Sequence, residues 1–469
     1  MAGLLAAGCG SDGSFDFSNF TGGGGNPIQA VPPTAVADAF AVFGNGELVA
    51  TVTANDTVNG AVVTQFQNVG TAGGTVQIAA NGQLTYTPPL NQSNIVDTFT
   101  YTLGNTAGTS TATVTITIGA RGFFVNNLAP AGGTGSQANP FNTLAAAVAA
   151  ANGVNGAQII LFRGDGTSAG LNTPVPLQAN QGISSLDPAS QATITGPVTL
   201  IQGNRVANLR VFGTAGAAVN GTGAVNGTVQ GVTVANCTGD AIVLNNGTGN
   251  WTVNECAVQN SGLQGCTANC TTGILNWVAT NCTFTNNTFG DTVVNVTGTA
   301  SQNVTVQNCV VNQSRAQLMV LRGDSGNVGL NLTNNTVNGG GVTLRGLNAL
   351  TQGTLQLSGR VTGNNITGCT QDGIALQITA TSRARVRFNQ NRTLGNLAGG
   401  GFSTAALNNS DMGLAITNNT FDVLALTQTN PALFQVEQFG NLTNTLGNTG
   451  AVQTVGTIQD VAAGSLGIP

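Results

Sequence analysis

Two residue types are missing from this chain of 469 residues, and their absence limits its chemistry. The chain contains no histidine and no lysine, so all 12 basic residues are arginine. General acid–base catalysis by histidine or lysine is therefore excluded, as are the Ser-His and Cys-His dyads. Charge is also scarce, at 6% of residues with a net charge of −5, which argues against nucleic acid as a partner.

Long apolar runs are missing as well, and no segment is long and apolar enough to span a bilayer. The hydrophobic content is nevertheless 41%, and glycine alone contributes 67 residues. This balance indicates folded, turn-rich β structure rather than disorder.

One apolar position recurs through the second half of the chain at an almost constant interval. Its occurrences are 24, 26, 27, 26, 29, 28 and 27 residues apart, at Val234, Val258, Phe284, Val311, Val337, Ile366, Leu394 and Phe421. Asparagine stands three positions earlier at Asn281, Asn308, Asn334, Asn391 and Asn418. Alternating apolar pairs such as Trp251 with Val253 precede the marker and predict short strands. The period predicts a solenoid whose like residues stack about 4.8 Å apart.

The stretch from Phe123 to Thr167 reads as a strand, a loop, a helix and the first solenoid strand. The Ala-rich segment at about 142–152, with Asn142 at its N-cap and Gly153 after its end, predicts a helix that covers the open end of the solenoid. This stretch and the repeats together resemble the pectate-lyase-like β-helices of bacterial surface proteins. The resemblance implies an all-β fold in which residues 119–469 form a right-handed parallel β-helix with an α-helical N-terminal cap.

Residues 34–118 contain short alternating strands separated by Gly and Asn turns, which indicates a small antiparallel β-sandwich. The strings PTAVADAF, TANDT, GQLTYTP, DTFTYTL and STATVTITI resemble the cadherin-like and Ig-like domains of bacterial surface proteins. The resemblance implies a spacer domain that could bind Ca²⁺ through Asp38, Asp56 and Asp97. We expect no cofactor, because three scattered carboxylates are few for calcium, and Ca²⁺ remains the alternative.

Residues 1–9 end in Leu5-Ala6-Ala7-Gly8-Cys9, which resembles the end of a bacterial lipoprotein signal. The resemblance implies a diacyl anchor on Cys9, a start site further upstream and, because Gly10 follows the cysteine, sorting to the outer membrane. Residues 10–33 are rich in Gly, Ser, Asn and Pro and predict a flexible tether. We therefore expect an outer-membrane lipoprotein of the bacterial cell envelope, surface-exposed or secreted.

Carboxylates of the solenoid are the candidates for enzyme chemistry. Asp240, Asp291 and Asp372 precede one strand of their rungs at intervals of two and three rungs, or roughly 10 and 15 Å. Only Asp240 and Asp291 approach the carboxylate separation of up to about 9.5 Å that an inverting glycosidase uses. We interpret all three as turn residues and keep that pair as the alternative catalytic site.

Cysteines are predicted to play structural roles. Cys256, Cys282 and Cys309 share one column with the parity of buried residues, which predicts an internal stack of thiols that act as small buried hydrophobes. A disulfide between vertical neighbours is the alternative, because disulfide Cα separations begin at about 4.4 Å. Cys266 and Cys270 lie in the longest insertion and predict a loop disulfide in an extracytoplasmic protein. No metal is expected there, because zinc would lack four ligands.

Two tryptophans, Trp251 and Trp277, lie one rung apart. A stacked pair of indoles could serve as a platform for sugar rings. The same column continues as Val304, Leu330 and Leu414, however, and this apolar pattern favours an internal aromatic stack.

Arginines are the candidate ligand-binding residues. Arg383, Arg385 and Arg387 alternate with apolar residues and should project from one face of a strand. Arg322 and Arg345 each follow a strand-ending leucine and are expected to lie close together. The planar guanidinium suits carboxylate, sulfate or phosphate groups, so these five predict an anionic-ligand site. The alternative is that they are solvated charges that deter edge pairing.

We therefore expect a non-catalytic surface lipoprotein whose solenoid binds polysaccharide, mediates adhesion or serves as structure. A polysaccharide lyase or glycoside hydrolase of the pectate-lyase-like type is the competing hypothesis. The expected partners are cell-surface or extracellular polysaccharide and, through the lipid anchor only, the membrane. Arg163-Gly-Asp165 and Arg322-Gly-Asp324 also spell an integrin-binding tripeptide, a motif of low specificity.

Overall fold

A computed structural model describes residues 30–313, 319–396, 401–429, 432–437, 449–455, 457–462 and 464–469. Residues 1–29, with Cys9 and most of the predicted tether, lie outside the described residues. The chain divides into two compact units: the first extends to Ile118 without 43–46 and 90–94, and the second contains those two segments and residues 119–469. Within the described residues, no helix is long and apolar enough to cross a membrane.

The first unit is antiparallel β structure. One sheet joins Val62–Phe66, Ile95–Asn105 and Gly108–Val125, and a second joins Leu48–Thr51, Gln83–Thr87 and Thr75–Ile78. A further strand spans Asp38–Gly44. The alternation of side chains along each strand determines which residues form the core, because every second residue faces the same side. Phe99, Tyr101 and Leu103 are consequently buried, and Tyr86 stacks on Phe99 with ring centroids 6.2 Å apart.

The second unit is a right-handed type of β-solenoid with about 11 turns. Each full rung contributes one strand to each of three parallel ladders, which we call ladders A, B and C. Ladder A contains Gln158–Leu161, Gly182–Ser185, Gln202–Ala207, Val225–Gln230, Thr248–Asn254, Ile274–Thr280, Ser301–Gln307, Asn327–Thr333, Gln356–Thr362, Arg383–Asn389, Asp411–Thr417, Leu433–Glu437 and Gln459–Val461.

The other two ladders are built from shorter strands. Ladder B contains Thr193–Ile194, Arg210–Phe212, Thr233–Ala235, Ala257–Gln259, Thr283–Thr285, Val310–Asn312, Thr336–Asn338, Asn365–Thr367, Arg392–Leu394 and the start of Thr420–Gln428. Ladder C contains Val175–Pro176, Val198–Thr199, Val219–Asn220, Ile242–Asn245, Gln264–Cys270, Gly290–Val296, Met319–Gly323, Leu347–Thr351, Ile374–Ile378, Phe402–Ala406, the end of Thr420–Gln428, and Thr449–Val455.

The predicted marker column is the centre of ladder B. Val234, Val258, Phe284, Val311, Val337 and Ile366 are paired in register in consecutive rungs, which confirms the predicted stacking. Leu394 is a correction, because Ile366 pairs with Thr393 and Thr393 pairs with Phe421. The sequence offers Thr393 and Leu394 side by side, and the period alone cannot decide which of two adjacent residues faces inward.

Asparagine makes the bends that separate the ladders. Sixteen of the 20 non-glycine residues with positive φ in the described residues are Asn, among them Asn281, Asn308, Asn334 and Asn418. Asn adopts this left-handed conformation at low cost because its short polar side chain can bond locally. Asn391 departs from the prediction: it lies one position later in its rung, where the side chain is buried.

The one helix in the described residues is shorter than predicted. It spans Leu144–Ala151, and the Thr143 hydroxyl accepts a hydrogen bond from the Ala146 backbone N at 3.3 Å, so Thr143 rather than Asn142 is the N-cap. Leu144, Ala147 and Ala151 pack into the solenoid core. A single helix of two turns does not support the predicted α-helical cap.

Candidate functional site

A polar cleft of about 400 Å³ lies on the solvent side of ladder A. Two columns of outward-facing residues border it, and the in-register partners in the first column are Ser301, Asn327, Gln356 and Arg383. The second column runs Asn303, Gly329, Ser358 and Arg385. The cleft is therefore lined by hydroxyls and amides and has guanidinium groups at one end.

Gly329 is the reason that this part of the sheet is concave. Its in-register neighbours, Asn303 and Ser358, carry side chains and Gly329 carries none. A Cβ atom at Gly329 would come within 2.7 Å of the Asn303 Oδ1 atom. Any larger residue would therefore displace Asn303 and fill the floor of the cleft.

The arginine end of the cleft carries a net positive charge. Arg385 donates through one amino group to both oxygens of Asp411, at 2.9 and 2.8 Å, and its side chain is only 12% exposed. Arg383 places its Nε 3.2 Å from the same carboxylate, and its side chain is 52% exposed. Two cations share one anion, and the exposed Arg383 is the one accessible to a ligand.

Arg387 follows the predicted alternation but has other partners. Its guanidinium donates to the backbone oxygens of Pro469 and Ile468, both at 3.2 Å. The prediction that the three arginines project from one strand face is confirmed by their burial pattern. The structure assigns only Arg383 and Arg385 to the cleft.

Arg322 and Arg345 lie apart from this cleft. Arg322 is exposed on ladder C, where its in-register partner is Leu350, five residues beyond Arg345. Arg345 instead forms an ion pair with Asp372, with Nε and Oδ2 3.4 Å apart. The expected proximity of the two arginines is wrong, because they occupy different positions along the rung.

The predicted carboxylates are not brought together as a pair. Asp240 lies in register with Gly290, one residue before Asp291, so the two are offset by one position. Asp240 accepts hydrogen bonds from the Gln264 N and the Thr267 hydroxyl of the next rung, at 2.9 and 2.7 Å. Asp291 is fully buried and accepts from the Asn287 amide at 2.8 Å. Both side chains therefore form hydrogen bonds within the fold, and Asp291 lies in the strand Gly290–Val296 rather than in the turn that the sequence interpretation expected.

The predicted disulfide between Cys266 and Cys270 is wrong. Both thiols are reduced and buried in one strand, Gln264–Cys270, where a loop was expected. Four residues of extended chain span about 13 Å, whereas disulfide Cα atoms lie at most about 6.8 Å apart. Strands on both sides pair with this segment and hold it extended.

The predicted thiol stack and the predicted tryptophan stack are both internal. Cys256, Cys282 and Cys309 are at most 2% exposed, and Trp251 and Trp277 are in-register partners that are each 1% exposed. Hydrogen bonding with the Cys256 thiol, together with burial, raises the pKa of Cys282 to about 12. A protonated thiol buried in this way is a poor nucleophile.

Asp97 and Asp38 of the first unit lie in different environments. Asp97 is buried, which raises its pKa, but hydrogen bonds from Ala72, Tyr86, Gly74 and Thr98 outweigh burial and hold the pKa below its usual value. Burial, together with the charge of Asp56, raises the pKa of Asp38 to about 6 against the Tyr101 hydrogen bond. Within the described residues, no group of three His, Cys, Asp or Glu side chains could hold a metal ion.

A ladder of outward-facing amides was not predicted from the sequence. The Asn276 Nδ2 donates to Asn250 Oδ1 at 2.8 Å, and the Asn303 Nδ2 donates to Asn276 Oδ1 at 2.7 Å. This ladder leads into the cleft at Asn303. Its signal was present, because each asparagine directly precedes the residue of the Trp251, Trp277 and Val304 column.

Comparison with known proteins finds a family match for the first unit and similar folds for the second. Residues 30–117 match the family described as Bacterial Ig domain. With its three parallel ladders, the second unit has the architecture of the pectate-lyase-like β-helices. No curated protein matches the chain.

Several solved structures have a similar fold at low identity. The A-module of the mannuronan C-5 epimerase AlgE6 from Azotobacter vinelandii is 14% identical with a TM-score of 0.46, covering 67% of this chain and 93% of that one. Tailspike protein 3 of bacteriophage CBA120 is 16% identical with a TM-score of 0.40, covering 72% and 61%. A family 28 exopolygalacturonase from Yersinia enterocolitica is 11% identical with a TM-score of 0.32, covering 81% and 85%. These similarities concern fold alone.

Proposed function

We propose that this protein binds acidic polysaccharide in the cleft on ladder A and does so without cleaving it. The observation that carries the proposal is the cleft itself, in which hydroxyls and amides lead to Arg383 and Arg385. Hydroxyls and amides can exchange hydrogen bonds with sugar hydroxyls, and a guanidinium pairs with a carboxylate or sulfate. The ligand class is therefore a glycan that combines many hydroxyls with regular negative charges.

The composition of the cleft supports a binding role over a catalytic one. Its lining contains no carboxylate, and the nearby Asp411 is engaged by two arginines. A glycosidase needs two positioned carboxylates, and a lyase needs a base beside the proton that it removes. Arginine stays protonated at neutral pH and serves poorly as that base. The competing lyase or hydrolase would have to use Asp240, whose oxygens already accept two hydrogen bonds.

The test is a binding measurement with the purified full chain and defined polysaccharides. Mannuronan and polygalacturonate represent acidic chains, and dextran represents a neutral one. We expect the acidic chains alone to be retained, and we expect Arg383→Gln to weaken binding about tenfold, since a charged hydrogen bond contributes about 1.5–3 kcal/mol. Gly329→Leu should weaken binding as well, by filling the cleft floor.

Arg210→Gln is the matched control, because it removes the same charge from the exposed face of ladder B. It should leave the affinity unchanged. Equal losses in Arg383→Gln and Arg210→Gln would mean non-specific charge attraction and would overturn the site. Release of unsaturated or shortened products that disappears in Asp240→Asn would replace the binding proposal with the enzymatic one.

We also propose that the protein is held at the bacterial surface by a lipid on Cys9, with the first unit as a spacer and adhesion as the biological use. The Leu5-Ala6-Ala7-Gly8-Cys9 string and the bacterial Ig domain support this placement. Labelling with palmitate in a bacterial host should mark the protein and should fail in Cys9→Ser. Labelling that persists in Cys9→Ser would contradict the anchor.

A further inference from the structure

Three cysteine thiols lie above one another inside the solenoid. Cys256, Cys282 and Cys309 each directly precede the in-register residues Ala257, Thr283 and Val310 of ladder B. They therefore occupy the same position in three consecutive rungs. Each is at most 2% exposed, so the three thiols are enclosed by protein rather than solvent.

The rung geometry matches the requirement of a disulfide. Adjacent strands of a sheet lie about 4.8 Å apart, and disulfide Cα atoms lie about 4.4–6.8 Å apart. The Cys282 thiol is also close enough to Cys256 and Cys309 for both neighbours to shift its pKa. Their remaining contacts are long ones to backbone oxygens, such as Cys282 Sγ to Thr280 O at 3.3 Å and to Val253 O at 3.5 Å.

We propose that Cys282 forms a reversible disulfide with Cys256 or Cys309, closing two neighbouring rungs, while the third thiol stays reduced. The middle cysteine is common to both pairings, so only one bond can exist at a time. The oxidant is a disulfide donor: its S–S bond breaks, and two S–H bonds of the protein give one S–S bond. The two electrons and two protons leave with the donor as a pair of thiols.

The other buried cysteines provide an internal comparison. Cys237 has Ser261 as its counterpart in the next rung, because Cys237 and Ser261 follow the stacked bend residues Asn236 and Asn260. Cys369 donates its backbone N–H to the amide oxygen of Asn396 in the next rung. Cys266 and Cys270 are held four residues apart in one strand. In the part of the chain that the structure describes, the stack therefore contains the only cysteines that are vertical neighbours.

Burial also determines how the bond can form. Because the stack is closed to solvent, a donor reaches it only during folding or when the rungs open locally. The pKa of Cys282 is raised to about 12, which lowers the reactive thiolate fraction further. Refolding of the full chain in a glutathione redox buffer is consequently the condition under which the bond should appear.

Peptide mapping tests the proposal. After refolding, remaining thiols are alkylated in denaturant without reductant, and the chain is cut with chymotrypsin. Cleavage after Leu, Trp and Phe places Cys256 in residues 252–263, Cys282 in 278–284, Cys309 in 290–318, and Cys266 with Cys270 in 264–275. We expect 278–284 to be cross-linked to 252–263 or 290–318, and dithiothreitol to abolish that species. Full alkylation of all three thiols after oxidative refolding would overturn the proposal.

Cys→Ser variants distinguish pairing within the stack from incidental oxidation of other cysteines. Cys282→Ser should remove every cross-link, whereas Cys256→Ser and Cys309→Ser should each leave the pairing with the remaining neighbour. Cys369→Ser is the matched control and should leave the wild-type pattern. Cross-links that survive in Cys282→Ser would refute the assignment. For the wild-type chain, the oxidised form should also unfold at a higher guanidinium concentration than the reduced form, since the bond closes a loop of about 26 residues.

Discussion

Two groups of rungs use different side chains at one inward position of the solenoid. In the thiol rungs this position holds Cys256, Cys282 and Cys309, and in the amide rungs that follow it holds Asn335, Asn364, Asn391 and Asn419. The backbone pairing continues across the change without interruption. This position therefore accommodates either a thiol or an amide, and the two side chains differ in the hydrogen bonds that they form with neighbouring rungs.

In the amide rungs, the side chain at this position forms hydrogen bonds with buried backbone groups. Asn364 Oδ1 accepts from the Asn335 backbone N at 3.0 Å and from its side-chain N at 2.9 Å. Asn364 Nδ2 in turn donates to Leu332 O at 3.1 Å and to Asn391 Oδ1 at 2.9 Å. The thiols offer only weak donors at longer distances. The amide rungs are therefore fixed by hydrogen bonds, whereas the thiol rungs depend on the packing of buried side chains such as Trp251 and Trp277.

The largest expected effect tests this dependence on packing. Trp277→Ala should lower the free energy of unfolding by about 3–5 kcal/mol, because it empties the interior of a thiol rung. Leu330→Ala, in the same column of an amide rung, should cost less within the range of about 2–5 kcal/mol. Guanidinium unfolding and local hydrogen exchange measure both. A larger loss in Leu330→Ala would break the comparison.

The next effect tests the hydrogen bonds of the amide rungs. Asn364→Ala should cost about 2–4 kcal/mol, because it leaves the buried Asn335 N–H and Leu332 carbonyl without this partner, each at about 1–3 kcal/mol. Cys282→Ala should cost about 1 kcal/mol. Asn338→Ala is the control, since its amide is exposed. Equal losses of unfolding free energy for Asn364→Ala and Cys282→Ala in the same assay would show that the amides stabilise the fold by filling space and not by hydrogen bonding.

Alkaline pH should distinguish the two groups of rungs. The pKa of Cys282 is about 12 in the folded state against 9.0 for the exposed thiol, so unfolding releases a proton above pH 9. Stability from this group is therefore complete below pH 9 and falls by about 1.4 kcal/mol per pH unit as the pH rises towards 12.

Neither tyrosine nor lysine interferes with this measurement in the solenoid, although burial also raises the pKa of Cys369, in an amide rung, to about 12. Both tyrosines, Tyr86 and Tyr101, lie in the first unit, and the chain has no lysine. Hydrogen exchange at alkaline pH should show the thiol rungs opening before the amide rungs, and Cys282→Ala should reduce the slope. A slope unchanged in Cys282→Ala would assign the effect to the other buried thiols.

The smallest expected effect tests whether cysteine and asparagine can replace each other at this position. Asn335 Oδ1 already accepts from the Cys309 backbone N at 2.9 Å, so Cys309→Asn would extend the amide ladder by one rung. We expect its free energy of unfolding to change by less than about 1 kcal/mol, the size of a well-accommodated replacement. The reverse change, Asn391→Cys, should destabilise by more. A strong loss in Cys309→Asn would mean that the two groups of rungs differ in backbone as well as in side chain.

Much of the solenoid could be read from single residues and their spacing. The markers at Val258, Phe284 and Val311 stack as predicted because one rung returns the chain to the same place after a near-constant length. The internal positions of Trp251 and Cys282 followed from parity. The Cys266 to Cys270 segment was misread as a loop, because Gly265, Ala268 and Asn269 have low strand propensity and neighbouring strands impose the extended form.

The cleft could be predicted only in fragments. The alternation of Arg383 and Arg385 indicated one outward face, but Asp411, which they share, is 26 residues from Arg385. Gly329 gave no signal of its own, since a concave floor depends on which residues flank it in the next rungs. The offset of Asp291 from the Asp240 position has the same origin, because a difference of one residue moves a side chain to the other face.

The sequence by itself determined that the chain coils, that bends fall at asparagines and that a small antiparallel β unit precedes the coil. These properties come from local conformational preference and from a repeat that buries the same face each time. The tertiary structure alone decided which residues are vertical neighbours. Register is a property of pairs of strands, so it joins Arg385 to Asp411, places the thiols above one another and leaves Gly329 as the floor of the cleft.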